Sequence, residues 1–315
     1  MNTYFANLKD LGVAWVRFDI DWSAIQSKDA STYDWTGTDR VVNTAKTYGI
    51  QALGIITYAP TWAESSSCPT GKYCPPTDPA AFAAFAKTVV TRYKDSISTW
   101  EIWNEENIPG FWYPSANVQQ YSTLLKQAYT AIKSVEPQST VLSGGLAAAA
   151  DSGGSISPVT FVNGLYSAGT RSSFDALALH PYSYPVSVNY VASWNSWQQM
   201  YQVRQIMESN GDTAKKIWVT EYGAPTGGPG TARIVDQLSF TYDSDYMTED
   251  AQNTMLQLAV AAYNANKTWM GPFFWYSLKD NGSNTSTPEN FFGLIRYDGS
   301  LKPAYTTFKT LIAQQ

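Results

Sequence analysis

Two glutamates carry the chemistry that can be read from this sequence. Glu105 lies near the end of the run Trp100-Glu101-Ile102-Trp103-Asn104-Glu105-Glu106-Asn107, and Glu221 near the end of Lys215-Lys216-Ile217-Trp218-Val219-Thr220-Glu221-Tyr222-Gly223. Each run is β-branched and aromatic before its acid, the pattern of a buried strand that stops at a polar cluster. Counting by twos puts Glu101, Trp103 and Glu105 on one side of the first strand, so Glu105 is expected at its tip over an aromatic wall. A carboxyl beside such a wall loses hydration and can keep a proton near neutral pH for donation. Two carboxylates on strand tips across one cleft are what glycoside hydrolysis requires: one protonates the leaving oxygen, the other attacks the sugar or directs water. A separation of about 5 to 5.5 Å favours attack and retention, whereas roughly 6.5 to 9.5 Å admits a water and gives inversion.

The elements that must position this pair alternate along the chain. Tyr4, Leu8 and Leu11 recur at helical spacing with Gly12 as the stop, and Val13 to Phe18 reads as a strand with Arg17 near its end. Asp19, Asp21 and Trp22 then read as a polar, aromatic loop. A helix over 39–48 and a strand over 51–57 follow. Asp78-Pro79 and Ser157-Pro158 each place an N-cap before a proline at the first helical position. Further strands are predicted over 140–144, 174–179 and 270–277, with helices over 194–210, 249–263 and 303–312. Counting the two acid-bearing runs gives seven strands with a helix ahead of the first. The prediction is a (β/α)8 barrel occupying residues 1–315 as one domain, with its first strand missing or irregular.

Composition narrows the function. The chain has 315 residues, a formal net charge of -5 and no basic run, which excludes a nucleic-acid footprint or attraction to an anionic membrane surface. No apolar run of about 18 residues is present to span a bilayer. Its 12 Trp and 21 Tyr suit stacking on sugar rings, and Tyr58, Trp62, Phe111, Trp112, Tyr113 and Tyr184 fall in loops on the side of the barrel that bears the acids. Cys68 and Cys74 share a Gly/Pro/Ser-rich loop and can close a short disulfide, which implies a secreted protein. With one histidine in the chain, the pair falls short of the four ligands of structural zinc. Asp19 and Asp21 lack a third oxygen ligand for calcium, Leu142-Ser143-Gly144-Gly145 is not a nucleophile elbow, and Gly227-Gly228-Pro229-Gly230 does not open a helix as a phosphate loop does. The expectation is therefore no metal and no cofactor.

Trp103-Asn104-Glu105, with Glu221 on a later strand, Arg17 on an early one, His180-x-Tyr182 between and Trp275 on the last, resembles the clan A glycoside hydrolases. Within the clan it is most similar to family 39 and related cellulase-like hydrolases; Phe292-Gly293-Leu294, Asp298-Gly299 and Lys302-Pro303 resemble the segment before their last helix. The resemblance implies a retaining double displacement on a β-linked, or equivalently oriented, oligo- or polysaccharide. It implies Glu105 as acid/base and Glu221 as nucleophile, Asn104 on the sugar 2-hydroxyl, Arg17 and Tyr182 keeping Glu221 ionised, Trp275 as a platform and His180 orienting its neighbours. Tyr58, Trp62 and Trp112 complete the expected binding residues. Three departures stand out: Glu106 replaces the usual proline, the β-sandwich of family 39 xylosidases has no room here, and the first strand is missing. A transglycosylase on the same site, or an inactive carbohydrate-binding barrel, are the alternatives; the intact glutamate pair argues against the latter.

Overall fold

Runs of apolar residues buried on both faces recur along the chain, each followed by an amphipathic helix, and such runs form parallel sheets covered by helices. The computed structural model describes residues 1–238 and 245–314. The chain opens with α1 (Asn2–Leu11), β1 (Trp15–Asp21), the short α2 (Trp22–Ile25), α3 (Thr36–Tyr48) and β2 (Gln51–Thr57). It continues through α4 (Pro79–Tyr93), β3 (Thr99–Ile102), α5 (Val118–Lys133), β4 (Thr140–Leu142), β5 (Leu146–Ala147), α6 (Pro158–Ser167), β6 (Leu177–His180), α7 (Ser196–Ser209) and β7 (Ile217–Tyr222). After the small pair β8 (Ala232–Arg233) and β9 (Tyr246–Met247) come α8 (Glu249–Ala265), β10 (Met270–Trp275) and α9 (Pro303–Ala313).

The barrel wall runs β1, β2, β3, β4 on one side and β10, β7, β6, β5 on the other, all parallel. β4 and β5 occupy one wall position, interrupted at Ser143-Gly144-Gly145, and bridges Leu142↔Ala176 and Asn104↔Gly145 carry the sheet across the break. Among the described residues the wall thus has seven positions. Among the described residues no ladder joins β1 to β10, so the expected irregularity falls at this seam. Side chains close its lower end instead: the Trp15 ring stands edge-on to Trp218 at 5.5 Å and to Phe274 at 6.5 Å. Leu53, Leu142, Ala178, Trp218 and Phe274 fill the base of the barrel interior.

Between wall and helices lies a second, larger core that includes Trp22, Phe82, Phe85, Trp100, Trp103 and Tyr121, none more than 2% exposed. Each such side chain contributes about 1.5–3 kcal/mol of burial, which fixes the helices against the wall. Asp78 and Ser157 cap α4 and α6 ahead of their prolines, as the sequence predicts. Several boundaries shift by a few residues, and two of the shifts have a visible cause. The helix expected from residue 39 starts at Thr36, because the Asp39 carboxylate binds Arg92 and Tyr93 rather than capping. β1 runs on to Asp21, since its register with β2 continues unbroken to Asp21↔Thr57; Asp19 and Asp21 therefore lie on the strand, not in a loop.

Candidate active site

A cavity of about 1930 Å³ runs from the C-terminal ends of the strands along the β1–β10 seam to α1 and α9, and its lining includes Arg17, Asn104, Glu105, Tyr182, Glu221 and Trp275. Six of the residues singled out by pattern are thus brought together. The alternation that leads to Glu105, however, is not the simple one. β3 ends at Ile102, and Trp103 takes a left-handed conformation with φ 73°, followed by Glu105 with φ 52°. The left-handed residue breaks the period of two. Trp103 is sent into the outer core, its ring 5.2 Å from Trp112 and 5.8 Å from Phe82, and its indole N–H donates to the Phe111 carbonyl. Asn104 takes the inward place instead, so the aromatic wall expected beneath Glu105 is replaced by polar groups.

Those groups form one continuous hydrogen-bonded circuit. Glu101, fully buried, receives Arg17 Nε at 2.8 Å and Nη2 at 3.0 Å. Arg17 Nη2 also donates to Asn104 Oδ1 at 2.9 Å, and Nη1 donates to Glu221 Oε1. Tyr182 OH donates to Glu221 Oε2 at 2.8 Å. The buried His180 bonds Glu105 Oε1 through Nδ1 at 2.9 Å and Thr220 Oγ1 through Nε2 at 3.1 Å, and Thr220 in turn donates to Glu101 Oε1 at 3.1 Å. Starting from Glu105, the circuit passes through His180, Thr220, Glu101 and Arg17 to Glu221. A carboxylate oxygen of Glu105, one of Glu221 and a ring nitrogen of His180 all lie within 4.8 Å of one another.

Burial alone would push the Glu221 carboxyl up. The charges of His180 and Arg17 and the hydrogen bond from Tyr182 outweigh it and hold the group below the usual glutamate range. Glu106 is the opposite case. Its side chain is fully buried, neither oxygen meets a hydrogen-bond partner, and a Cβ placed on Gly144 would sit 1.9 Å from Oε2, so that glycine is needed to admit the carboxyl. Burial, with Glu101 and Glu105 adding to it, pushes Glu106 well up. Burial thus favours its neutral form, which would put no second charge beside Glu105. Gly145 serves the same purpose for His180, whose Nε2 a Cβ there would meet at 2.1 Å.

Two expected binding residues lie elsewhere. Trp112 is 1% exposed, packed between Trp103 and Tyr121, with its indole N–H on Gln120; it has no face to offer. Trp62 stands against Trp22 with its N–H donating to the Gln26 carbonyl at 2.6 Å, and it is not among the lining residues of the cavity. Both were picked by loop position, which says nothing about side-chain direction. Tyr58 does line the cavity; Tyr73 stacks on it at 4.2 Å, and Phe111 stacks on Tyr73 at 5.5 Å. Cys68 and Cys74 are bonded to each other and close the loop that carries Tyr73. Glu101 and Thr220 were missed as site residues. The signal for Glu101 was present: a charge on a buried strand, four residues before Glu105, demands a partner such as Arg17.

Glu105, His180 and Glu221 are also donors to a metal in principle. Both Glu221 oxygens and both His180 nitrogens are engaged, and the Arg17 guanidinium beside them repels a cation, so the set fits a hydrogen-bonded acid pair.

No protein-family model and no curated protein matches this chain. Solved structures do match by fold. A family 39 glycoside hydrolase from the gut symbiont Bacteroides cellulosilyticus WH2 superposes with a TM-score of 0.75 at 22% identity, over 99% of this chain and 60% of that one. A monomeric β-xylosidase from Caulobacter crescentus CB15 gives 0.73 at 18% identity, over 99% and 64%. A fungal β-1,4-galactanase gives 0.67 at 17% identity, over 98% and 90%. The chain spans less than two thirds of the first two proteins and most of the third. Its fold is the parallel (β/α) barrel of family 39-like, cellulase-type glycoside hydrolases.

Proposed function

We propose that the protein is a secreted retaining glycoside hydrolase that cleaves a β-linked, or equivalently oriented, oligo- or polysaccharide. The observation that carries this reading is the pair of carboxylates within 4.8 Å, one gripped by two donors and the other held by a single histidine. So close an approach supports the shorter spacing of direct attack over the wider one of inversion. In the first step a Glu221 oxygen bonds to the anomeric carbon while the bond to the leaving oxygen breaks and Glu105 gives that oxygen its proton. In the second, Glu105 takes a proton from water, the water oxygen bonds to the anomeric carbon, and Glu221 leaves as carboxylate. Arg17 fixes the Asn104 amide oxygen, which presents the amide NH₂ to a sugar hydroxyl, and Trp275 offers its ring beside the reacting sugar. The Cys68–Cys74 bond supports an oxidising, extracellular setting, and residues 1–315 act as one catalytic unit.

The test is release of reducing ends and aryl alcohol over a panel of glucans, xylans, arabinans, galactans and bacterial exopolysaccharides, for wild type, Glu105→Gln and Glu221→Gln. The anomer formed first is followed by NMR. Activity lost in both variants with a retained anomer is expected; an inverted product, or activity kept by either variant, would falsify the assignment.

A further inference from the structure

Six of the twelve tryptophans are buried and two, Trp62 and Trp194, are exposed; of these two, Trp194 stands at the rim of the cleft. Trp194 is 54% exposed, the highest value of any tryptophan in the molecule, yet it lines the same cavity as the two glutamates. Its loop is firmly built. Asn195 Nδ2 donates to the carbonyls of Ser187 and Tyr190, Asn195 Oδ1 caps α7 at Trp197, and the Ser187 N–H donates to Asp236 at 2.7 Å. A rigid loop that holds an indole in water leaves apolar surface uncovered, which a bound apolar face would relieve.

A second aromatic surface stands across the mouth. Tyr58 follows β2 and Trp194 follows β6; the wall positions β3, β4/β5 lie between them, so their loops face each other over the barrel end. Tyr58 and Phe111 line the cavity and stack at 6.1 Å, and Tyr73, 41% exposed, packs beside the cavity against both, its ring near parallel to each at 25° and 6°. The disulfide-closed loop keeps it there, and the Tyr113 N–H donates to the Tyr73 carbonyl at 2.9 Å. An enzyme that trims one terminal sugar needs contacts around that sugar only. Platforms on both rims, away from the acids, are useful only to a chain several sugars long.

We propose that Trp194 and the Tyr58–Tyr73–Phe111 stack are remote sugar platforms on opposite sides of the glutamates, so that the cleft takes an internal stretch of a polysaccharide and cuts it endo. The proposal rests on the hydrolase reading above.

Trp194→Ala and Tyr73→Ala are compared with wild type on a polymer cleaved by the wild type and on an aryl monoglycoside of the same sugar. The polymer kcat/KM is expected to fall about tenfold more than the aryl glycoside value, the loss of one aromatic contact. Trp194→Phe is expected to recover most of it, and the unfolding midpoint to stay put because Trp194 is exposed. Viscosity of a wild-type digest should drop well before reducing ends accumulate. Equal losses on both substrates, or products released one sugar at a time, overturn the proposal. Failure of the hydrolase reading is recognised separately, by Glu105→Gln or Glu221→Gln retaining activity. If the wild type cleaves nothing, calorimetric binding of long and short oligosaccharides decides: Trp194→Ala must weaken the long ones selectively, and equal or absent weakening overturns the platforms.

Discussion

The two glutamates reach the cleft from differently built supports. Glu221 sits within a regular strand, β7, and both its oxygens have donors, Arg17 from β1 and Tyr182 from the loop after β6. Glu105 sits past the end of β3 on a left-handed turn, and one of its oxygens meets His180. A nucleophile has to be charged and held still, whereas an acid has to pass its proton on and so needs an oxygen without a fixed donor. On the proposed reading, the same residue type is divided into two roles by what surrounds it.

Substitutions that exchange or erase this difference test it. The largest effect is expected from Glu221→Gln, which removes the covalent step and lowers kcat/KM on every substrate by more than the roughly 10²- to 10⁴-fold that acid catalysis supplies. Glu105→Gln should lose about 10²- to 10⁴-fold on substrates with a sugar leaving group. On a dinitrophenyl glycoside, whose leaving group needs no proton, kcat/KM should fall far less; equal losses on the two substrates would remove Glu105 from the acid role.

A smaller effect is expected at Arg17. Because Glu221 is held below the usual range and acts as carboxylate, activity persists as pH falls and is lost only when the group takes a proton. Arg17→Gln withdraws the charge and leaves the burial, so the acid limb of kcat/KM should move up, toward or above the ordinary glutamate value of about 4.3. Arg17→Lys, which keeps a charge, should move it less, and a limb that stays in place in both variants would refute the grip. The smallest change is expected from Glu106→Gln, an amide in place of a neutral carboxyl, with kcat near wild type. A carboxyl raised in the folded state is protonated there while the unfolded chain has already released its proton. Its contribution to stability is present below the unfolded value and falls as pH rises above it. Glu106→Gln should remove that part of the decline between about pH 4.3 and neutrality, seen as a flatter plot of unfolding midpoint against pH. An unchanged slope would mean that Glu106 is not the buried neutral group.

Much of this was legible in the sequence. Burial on both faces marked the strands, and the seam could be counted as a missing strand because each wall strand is followed by its own helix. Glu221, Arg17 and Trp275 could be placed because they lie on strands, where alternation fixes which way a side chain points. Where the backbone leaves the strand, that rule fails: a single left-handed residue at Trp103 turned the expected aromatic wall into a polar circuit, and no pattern of residue types encodes a positive φ on tryptophan. Trp62 and Trp112 failed for a related reason, since a loop residue can face the cleft or the core and only tertiary packing decides.

Tyr58, Trp103 and Glu105 share that left-handed backbone, with φ of 43°, 73° and 52°, and each is a residue with a side chain where glycine would be at ease. Each such placement costs on the order of 1–2 kcal/mol. At Trp103 and Tyr58 the burial that glycine would forfeit outweighs this relief, but at Glu105, whose side chain reaches the cleft rather than the core, glycine would stabilise the turn and delete the carboxyl. Stability and the proposed acid therefore pull in opposite directions at Glu105 alone of the three, so the turn that carries it would be the first part of the barrel mouth to relax if the acid were no longer needed.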